Sequence, residues 1–311
     1  MIQMHKMKVV ATMFVVISFF TIPVSASTDG CRSTATGDYR VEHFKGKIAP
    51  GDHILRIWLP PGYSDSLNRI RSYPVLYMMD GQNLFDICPA MSHSEWEVDE
   101  SLTSLINSGK VEPLIVVGID APDDGPLRGS ELLPFRDDIN QLSFTPNGQR
   151  WPAFLVNEVL PHIAKNYRIK EGRASTAIGG ASYGAIAALY ALVMRPYTFG
   201  LGLIESPSAT VGNGEMARLT RYLTVPPIRV SIGVGDREAD RYAEALRKLN
   251  LDPEAINKSM AYNARQIADN LREVDGAPSA LLFTEIPDGT HDTSAWRKRF
   301  PAAVSFLFPA K

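Results

Sequence analysis

A serine between two glycines, Ser182 in "IGGASYG", separates an apolar β-like run, "STAIGG", from a helical run, "YGAIAALYALVM". This arrangement is typical of a nucleophile elbow, in which a strained strand-to-helix turn exposes the serine hydroxyl. Gly180 and Gly184 leave room for the turn, and the helix N-terminus stabilises developing negative charge. A structural bend would need the glycines but not the serine. The sequence therefore predicts that Ser182 is a nucleophile.

A serine hydroxyl is a weak nucleophile at neutral pH, so this hypothesis requires a histidine base and an acid, in the chain order Ser, acid, His. Of the six histidines, only His291 follows Ser182, within "IPDGTHDTSAW". That segment comes after the last predicted strand, where a loop can reach a serine at the carboxyl edge of a sheet. His291 is the predicted base.

The acid is expected in the loop after the penultimate predicted strand, where "IRVSIGVGDREAD" offers Asp236, Glu238 and Asp240. Its carboxylate must accept a hydrogen bond from the imidazole, which fixes the tautomer and stabilises the imidazolium. Spacing alone does not choose among the three residues.

An oxyanion needs two backbone donors, one usually from the residue after the nucleophile and one from a loop after an early strand. Tyr183 follows the serine, and "YMMDGQNLFD" supplies an early loop in which Gly81 allows a close approach. The predicted donors are the amides of Tyr183 and Gln82. The alternative is that "DGQN" is only a turn.

Short β-rich runs alternate with helical runs, a pattern typical of a mostly parallel sheet with helices on both faces. The fold class is therefore α/β. An opening antiparallel hairpin is predicted at "YRVEHF" and "HILRIWLP", and buried parallel strands at "YPVLYMMD" and "PLIVVGID". Four further strands are predicted at "STAIGG", "FGLGLIES", "IRVSIGVG" and "ALLFTEIP", and four helices at "VDESLTSLINS", "FLVNEVLPHIAKNY", "YGAIAALYALVM" and "AWRKRFPAAVSFLF". The irregular stretch 121–151 has the length of an active-site lid.

The N-terminus has the features of a secretory signal peptide over residues 1–26: Lys6 and Lys8, an apolar run, and the small residues Ser25 and Ala26. The apolar run is short for a membrane span, although an uncleaved anchor is the alternative. A single catalytic domain is expected over residues 27–311, in the periplasm or outside the cell.

The two cysteines, Cys31 and Cys88, are expected to form a disulfide in such an oxidising compartment. "TDGC" lacks the aliphatic residue of a lipid-attachment site.

The 32 basic and 34 acidic side chains nearly cancel, so no basic face for nucleic acid is expected. No HExxH, CxxC or phosphate-binding glycine loop occurs, and no metal or organic cofactor is predicted.

Several segments in order, "YPVLYMMDGQNLFD", "EWEVDESLTSL", "PLIVVGID", "GGASYG", "IESPS" and "GTHDTSAWRKRFPAAVSFL", resemble the putative-esterase branch of the α/β hydrolases. That branch includes siderophore, feruloyl and acetylxylan esterases, formylglutathione hydrolase and the mycolyltransferases. The resemblance runs from about Tyr39 to the C-terminus. In this branch the acid stands three residues after a strand-ending glycine, here Gly235, which implies Glu238 with Asp236 as runner-up. Ala185 and Tyr183 depart from the residues common in relatives and put the acyl pocket in question.

The expected function is that of a serine esterase that acts through an acyl-enzyme on a carbohydrate, phenolic or siderophore-type ester. An acyltransferase that uses the same serine and a non-catalytic binding protein of this fold are the alternatives. Aromatic side chains could line the substrate site or belong to the core; they are Trp96, Trp151, Tyr183 and Trp296.

Overall fold

The computed structural model describes residues 30–136, 144–274 and 280–310. The predicted signal peptide lies outside the described residues. Residues Ser33–Lys311 form one compact unit. Across the described ranges, no helix is long and apolar enough to cross a membrane.

Eight strands form one sheet in the order β1-β2-β4-β3-β5-β6-β7-β8. The strands are β1 (Asp38–Gly46), β2 (Gly51–Leu59), β3 (Val75–Met79), β4 (Ile115–Ile119), β5 (Thr176–Ala181), β6 (Leu201–Glu205), β7 (Arg229–Arg237) and β8 (Ala280–Thr290). The β1–β2 and β2–β4 pairs are antiparallel, and the remaining pairs are parallel. The predicted α/β class, with its antiparallel N-terminal hairpin, is confirmed.

Both faces of the sheet are buried. Successive side chains of a strand point to opposite faces, so they belong to different hydrophobic clusters. In β3, Tyr77 belongs to one hydrophobic cluster, whereas Leu76 and Met78 belong to a second cluster. Every residue of β3 and β4 is buried, which explains why these strands are continuous apolar runs in the sequence.

Helices surround this sheet. They are α1 (Val98–Asn107), α2 (Gly125–Leu132), α3 (Trp151–Phe154), α4 (Leu160–Asn166), α5 (Tyr183–Met194), α6 (Glu215–Thr220), α7 (Ala243–Lys248), α8 (Pro253–Arg272) and α9 (Thr293–Leu307). A π-helical turn, Leu155–Val159, connects α3 and α4. The four helices predicted from the sequence are present. The stretch 121–151 is not irregular throughout, because α2 lies within it.

The longest helix, α8, escaped the sequence analysis although its signals are clear. The side chain of Asp252 accepts hydrogen bonds from the amides of Glu254 and Ala255, and Pro253 occupies the first turn. Its buried residues recur at helical spacing: Pro253, Asn257, Met260, Ala261, Ala264, Ile267, Ala268 and Leu271. This helix contributes one wall of the candidate active site.

Neither cysteine is a free thiol, since Cys31 and Cys88 are both disulfide-bonded, as expected from the sequence. Close to Cys88 in the chain, Asp86 accepts a hydrogen bond from the Ser33 hydroxyl at 2.7 Å. Farther on, Asp99 accepts bonds from the amide and the hydroxyl of Thr36, at 2.6 and 2.7 Å. The segment around Ser33–Thr36 is thus held by two acidic side chains, Asp86 in the loop before α1 and Asp99 in the first turn of α1.

Two partly buried carboxyl groups make the stability of the fold depend on pH. Burial, with a hydrogen bond to Asp99, raises the pKa of Glu100 from 4.5 to about 8. Burial, with the negative charge of Asp80, raises the pKa of Glu131 to about 7. Because these folded-state pKa values exceed the ordinary value, the folded protein binds more protons than the unfolded chain between pH 4.5 and about 8. Stability is therefore gained as the pH falls through this window.

We expect a higher Tm at about pH 5.5 than at about pH 8, measured by thermal unfolding at constant ionic strength. Glu100→Gln should weaken this dependence, because it removes the larger of the two shifts. The lowered pKa of Glu238 and that of Asp292 affect stability only at more acidic pH. A Tm that rises from pH 5.5 to 8 would contradict the expectation.

Candidate active site

Ser182 lies between the end of β5 and the first residue of α5, in a backbone conformation with φ 59° and ψ −124°. A Cβ on Gly180 would lie 2.7 Å from the carbonyl of Gly184, and a Cβ on Gly184 would lie 2.6 Å from Asp80 Oδ2. Gly180 is therefore required by the close approach of the backbone, whereas a side chain at Gly184 would have to displace the Asp80 carboxylate. The strained strand-to-helix turn predicted from the sequence is confirmed.

The Ser182 hydroxyl is hydrogen-bonded to the hydroxyl of Ser208, with 3.2 Å between the two oxygens. The backbone of the turn is held by Glu205, whose carbonyl accepts from the Ser182 amide at 3.1 Å. Ser208, in the segment after β6, was not singled out by the sequence analysis. Its hydroxyl is the hydrogen-bond partner of Ser182 Oγ.

His291 and Glu238 meet in a hydrogen bond of 2.7 Å between Nδ1 and Oε2. Glu238 is 1% exposed and His291 is 7% exposed. The other two carboxylates considered from the sequence, Asp236 and Asp240, are exposed. Asp240 accepts a hydrogen bond from the Asn257 amide group at 2.9 Å. Of the three candidate acids, Glu238 is the one whose carboxylate contacts the His291 imidazole.

This contact defines the roles of the two imidazole nitrogens. A carboxylate accepts at Nδ1, so this nitrogen carries the proton in the neutral ring and Nε2 is left as an acceptor. Burial alone would raise the pKa of Glu238, but the hydrogen bond and positive charge of His291, the Gly235 amide and the Ser206 hydroxyl together hold it below its usual range. Glu238 is therefore an ionised acceptor at neutral pH.

A cavity of about 360 Å³ contains the predicted nucleophile, base and acid, with Tyr183 in its wall. Arg128 of α2 and Ser208 contribute polar groups. The apolar part of the lining comes mainly from α7, α8 and the segment after β6; its residues are Val211, Leu246, Ile256 and Met260. This volume is within the range of pockets that hold small organic molecules.

The predicted oxyanion donors occupy different surroundings. Tyr183 is the first residue of α5, where backbone amides point away from the helix without an intrahelical partner. Gln82 lies in a short 3-10 turn after β3, and its side chain exchanges two hydrogen bonds with the backbone of Ala121. Gln82 lines a second cavity, of about 390 Å³, that does not include Ser182. Its role as an oxyanion donor stays a prediction.

An ion pair absent from the sequence analysis connects α2 with this turn. Arg128 donates from Nε and Nη2 to the two carboxylate oxygens of Asp80, at 2.6 and 2.7 Å. Its guanidinium also lies 5.3 Å from the centre of the Tyr183 ring. Asp80 immediately precedes the turn that holds Gln82 and has φ 58°. Arg128 therefore supports the residue that leads into the predicted oxyanion loop.

The aromatic residues considered as a substrate wall divide into two groups. Trp96 and Trp151 are 3% and 2% exposed and belong to hydrophobic clusters of the core. Trp296 packs edge-on against the imidazole of His291, with ring centres 5.4 Å apart, and Tyr183 lines the cavity. The core interpretation therefore holds for Trp96 and Trp151.

Within residues 30–136, 144–274 and 280–310, no group of three or more His, Cys, Asp or Glu side chains has an arrangement that could hold a metal ion.

The proteins similar to this chain differ widely from it in sequence. An uncharacterized protein YbbA of Bacillus subtilis is 22% identical over 263 residues, which cover 83% of this chain and 93% of the relative. An endo-1,4-beta-xylanase/feruloyl esterase of Xylanibacter ruminicola is 25% identical over 81% of this chain, but the match spans only 29% of that protein. The structure of the siderophore hydrolase EstA of Aspergillus nidulans superposes with a TM-score of 0.66 and 20% identity, covering 86% of this chain and 94% of EstA.

Residues 48–307 match the model of the family described as "Putative esterase". This match includes β2 to α9 and all the residues assembled around the cavity. It agrees with the resemblance noted in the sequence. The chain belongs to this esterase family.

Proposed function

We propose that this carboxylic ester hydrolase acts through a Ser182–His291–Glu238 triad and an acyl-enzyme on Ser182. Membership of the esterase family makes the chain an ester hydrolase. The observation that carries the mechanistic proposal is the buried hydrogen bond between Glu238 and His291 Nδ1, in the same cavity as the strained Ser182. That bond leaves Nε2 as the nitrogen that can take the serine proton.

In the proposed first step, the Ser182 hydroxyl turns from Ser208 to His291 and attacks the ester carbonyl as Nε2 takes its proton. Catalytic hydrogen bonds are often long or unformed in the absence of a substrate, so the Ser208 contact is compatible with this step. The oxyanion is stabilised by the amides of Tyr183 and Gln82. His291 then protonates the leaving alcohol, and an acyl ester remains on Ser182. Water, activated by the same imidazole, releases the acid in the second step.

The lining of the cavity supports a phenolic or other aromatic acyl group in an ester with a carbohydrate or a siderophore-type alcohol. Aliphatic side chains, Leu246 and Met260 among them, offer an apolar surface to a ring, and Tyr183 and Tyr242 offer aromatic edges. Arg128 lines the same cavity and can donate to a phenolic oxygen. The names of the feruloyl esterase and siderophore hydrolase relatives agree with this choice.

We also propose export through a cleaved leader, residues 1–26. Two observations support it: the charged and apolar pattern of the leader, and the disulfide-bonded state of Cys31 and Cys88, which persists in oxidising compartments. The working compartment would be the periplasm or the outside of the cell.

A parallel assay of four substrates tests this function: short aryl esters, a feruloyl sugar, acetylated xylan and a catecholate trilactone. We expect the highest kcat/KM on the feruloyl sugar or the catecholate trilactone, because both carry an aromatic ring for the cavity. Acetylated xylan should be the poorest substrate, since an acetyl group leaves the apolar lining unused. A preference for acetylated xylan would contradict the proposed acyl site, and faster turnover with a sugar ester as product when a sugar acceptor is added would indicate an acyltransferase.

A further inference from the structure

The buried hydroxyl of Ser206 stands at the centre of three hydrogen bonds behind the candidate triad. It lies 2.7 Å from Glu238 Oε1, 2.9 Å from Trp296 Nε1 and 2.8 Å from Arg299 Nη2. Ser206 is 0% exposed. Ser206 takes no direct part in the proposed acyl transfer.

The direction of each hydrogen bond follows from the chemistry of the groups. An indole N–H and a guanidinium N–H can only donate, and a hydroxyl has one proton and two acceptor positions. Trp296 and Arg299 therefore occupy both acceptor positions of Ser206. Its single proton is left for Glu238 Oε1, which accepts it.

The surrounding structure fixes Ser206 in turn. Its backbone has φ 41°, and its amide donates to the Gly233 carbonyl at 2.7 Å. Arg299 is anchored by a buried ion pair with Glu205, with 2.5 Å between Nε and Oε2. A Cβ on Gly233 would lie 2.4 Å from that Glu205 carboxylate, so the glycine makes room for the pair. Buried groups therefore fix both the backbone of Ser206, through Gly233, and its partner Arg299, through Glu205.

Glu238 uses its two oxygens for different partners. Oε1 accepts from Ser206 and from the Gly235 amide at 2.6 Å, while Oε2 faces His291. Loss of the Ser206 hydroxyl would leave Oε1 with a single donor from its own loop. The carboxylate could then rotate away from the imidazole.

We propose that Ser206 is a positioning residue of the esterase, oriented by Trp296 and Arg299, which holds Glu238 Oε1 so that Oε2 stays aimed at His291 Nδ1. This inference rests on the proposed function, because it acts through the assigned acid. Ser206 contacts no reacting atom, so its contribution should be to kcat and not to substrate binding.

A double-mutant cycle between Ser206 and Glu238 tests this role. Ser206→Ala should lower kcat roughly 10- to 100-fold, as expected for loss of a hydrogen bond to a charged group, with KM changed by less than about twofold. In a Glu238→Gln background, Ser206→Ala should cause almost no further loss, because its effect passes through that carboxylate. Active enzyme is counted with a serine-directed phosphonate, and Tm is measured for every variant.

Two further variants keep the test decisive. Ser206→Gly removes the same hydroxyl while suiting the positive φ, so it should fold at least as stably as Ser206→Ala and show the same loss of kcat. Ser231→Ala removes a buried hydroxyl of β7 away from the triad and should leave kcat unchanged.

Unchanged kcat in Ser206→Gly, or equal losses from Ser206→Ala in both backgrounds, would overturn the proposal. Failure of the proposed function looks different. If Glu238→Gln itself retained near-native kcat, Glu238 would not be the acid, and both proposals would fall. If Glu238→Gln were severely impaired but both Ser206 variants were fully active, only the positioning role would be lost.

Discussion

Ser182→Ala is expected to lower kcat/KM for an aryl ester by about four to six orders of magnitude, as the loss of a nucleophile does in serine hydrolases. The change removes the oxygen that forms the acyl-enzyme and leaves the backbone turn as it is. The Tm should stay close to that of the parent protein, since Ser182 and alanine meet the same strain at φ 59°. Initial-rate kinetics and thermal unfolding check the two parts of this expectation.

Ser208→Ala is the matched comparison, because it removes the hydroxyl that contacts Ser182 Oγ without removing the proposed nucleophile. We expect it to keep activity within about tenfold of the parent. If Ser182→Ala retained more than a few per cent of the activity, or Ser208→Ala lost more than Ser182→Ala, Ser182 would not be the nucleophile.

Glu238→Gln is expected to lower kcat by about three to four orders of magnitude. An amide cannot stabilise the imidazolium that forms as Ser182 attacks, and its NH₂ group can hold His291 in the wrong tautomer. The hydrogen bonds to Gly235 and Ser206 can be kept by the amide oxygen, so the fold should persist. The kcat of the purified variant, corrected for the titrated active fraction, measures the effect.

Asp236→Asn and Asp240→Asn are the controls, since both carboxylates lie in the same short segment as Glu238 but are exposed. Each should cost less than about threefold in kcat, as is usual for surface charges away from the reacting atoms. A severe loss in Asp236→Asn with near-native kcat in Glu238→Gln would move the acid by two positions and leave Ser182 and His291 in place.

The residues of the candidate triad could be predicted to different degrees. Ser182 follows from a local signal, because the strand, the glycines and the helix adjoin one another in the sequence. His291 follows by elimination, as it is the one histidine after the elbow. Glu238 could not be separated from Asp236 and Asp240 by spacing, since the choice depends on which side chains turn inward at the end of β7 and just after it. Family resemblance supplied that choice.

The groups that support the site were beyond sequence analysis for a physical reason. Ser206 and Arg299 are 93 positions apart, and Asp80 and Arg128 are 48 positions apart. These contacts form only when the sheet brings the ends of several strands together, and no local pattern marks them. Helix α8 is different, because its cap at Asp252 and its helical spacing of buried residues are both visible in the sequence.

The most direct test of Ser182 as the nucleophile is mass spectrometry of the protein after reaction with a serine-directed phosphonate. This assignment predicts one adduct per chain on the parent protein, located at Ser182 by peptide mapping. It predicts no adduct on Ser182→Ala and strongly slowed labelling of His291→Ala, because the serine then lacks its base. An adduct on another serine, or undiminished labelling of Ser182→Ala, would contradict the assignment of Ser182 as the nucleophile.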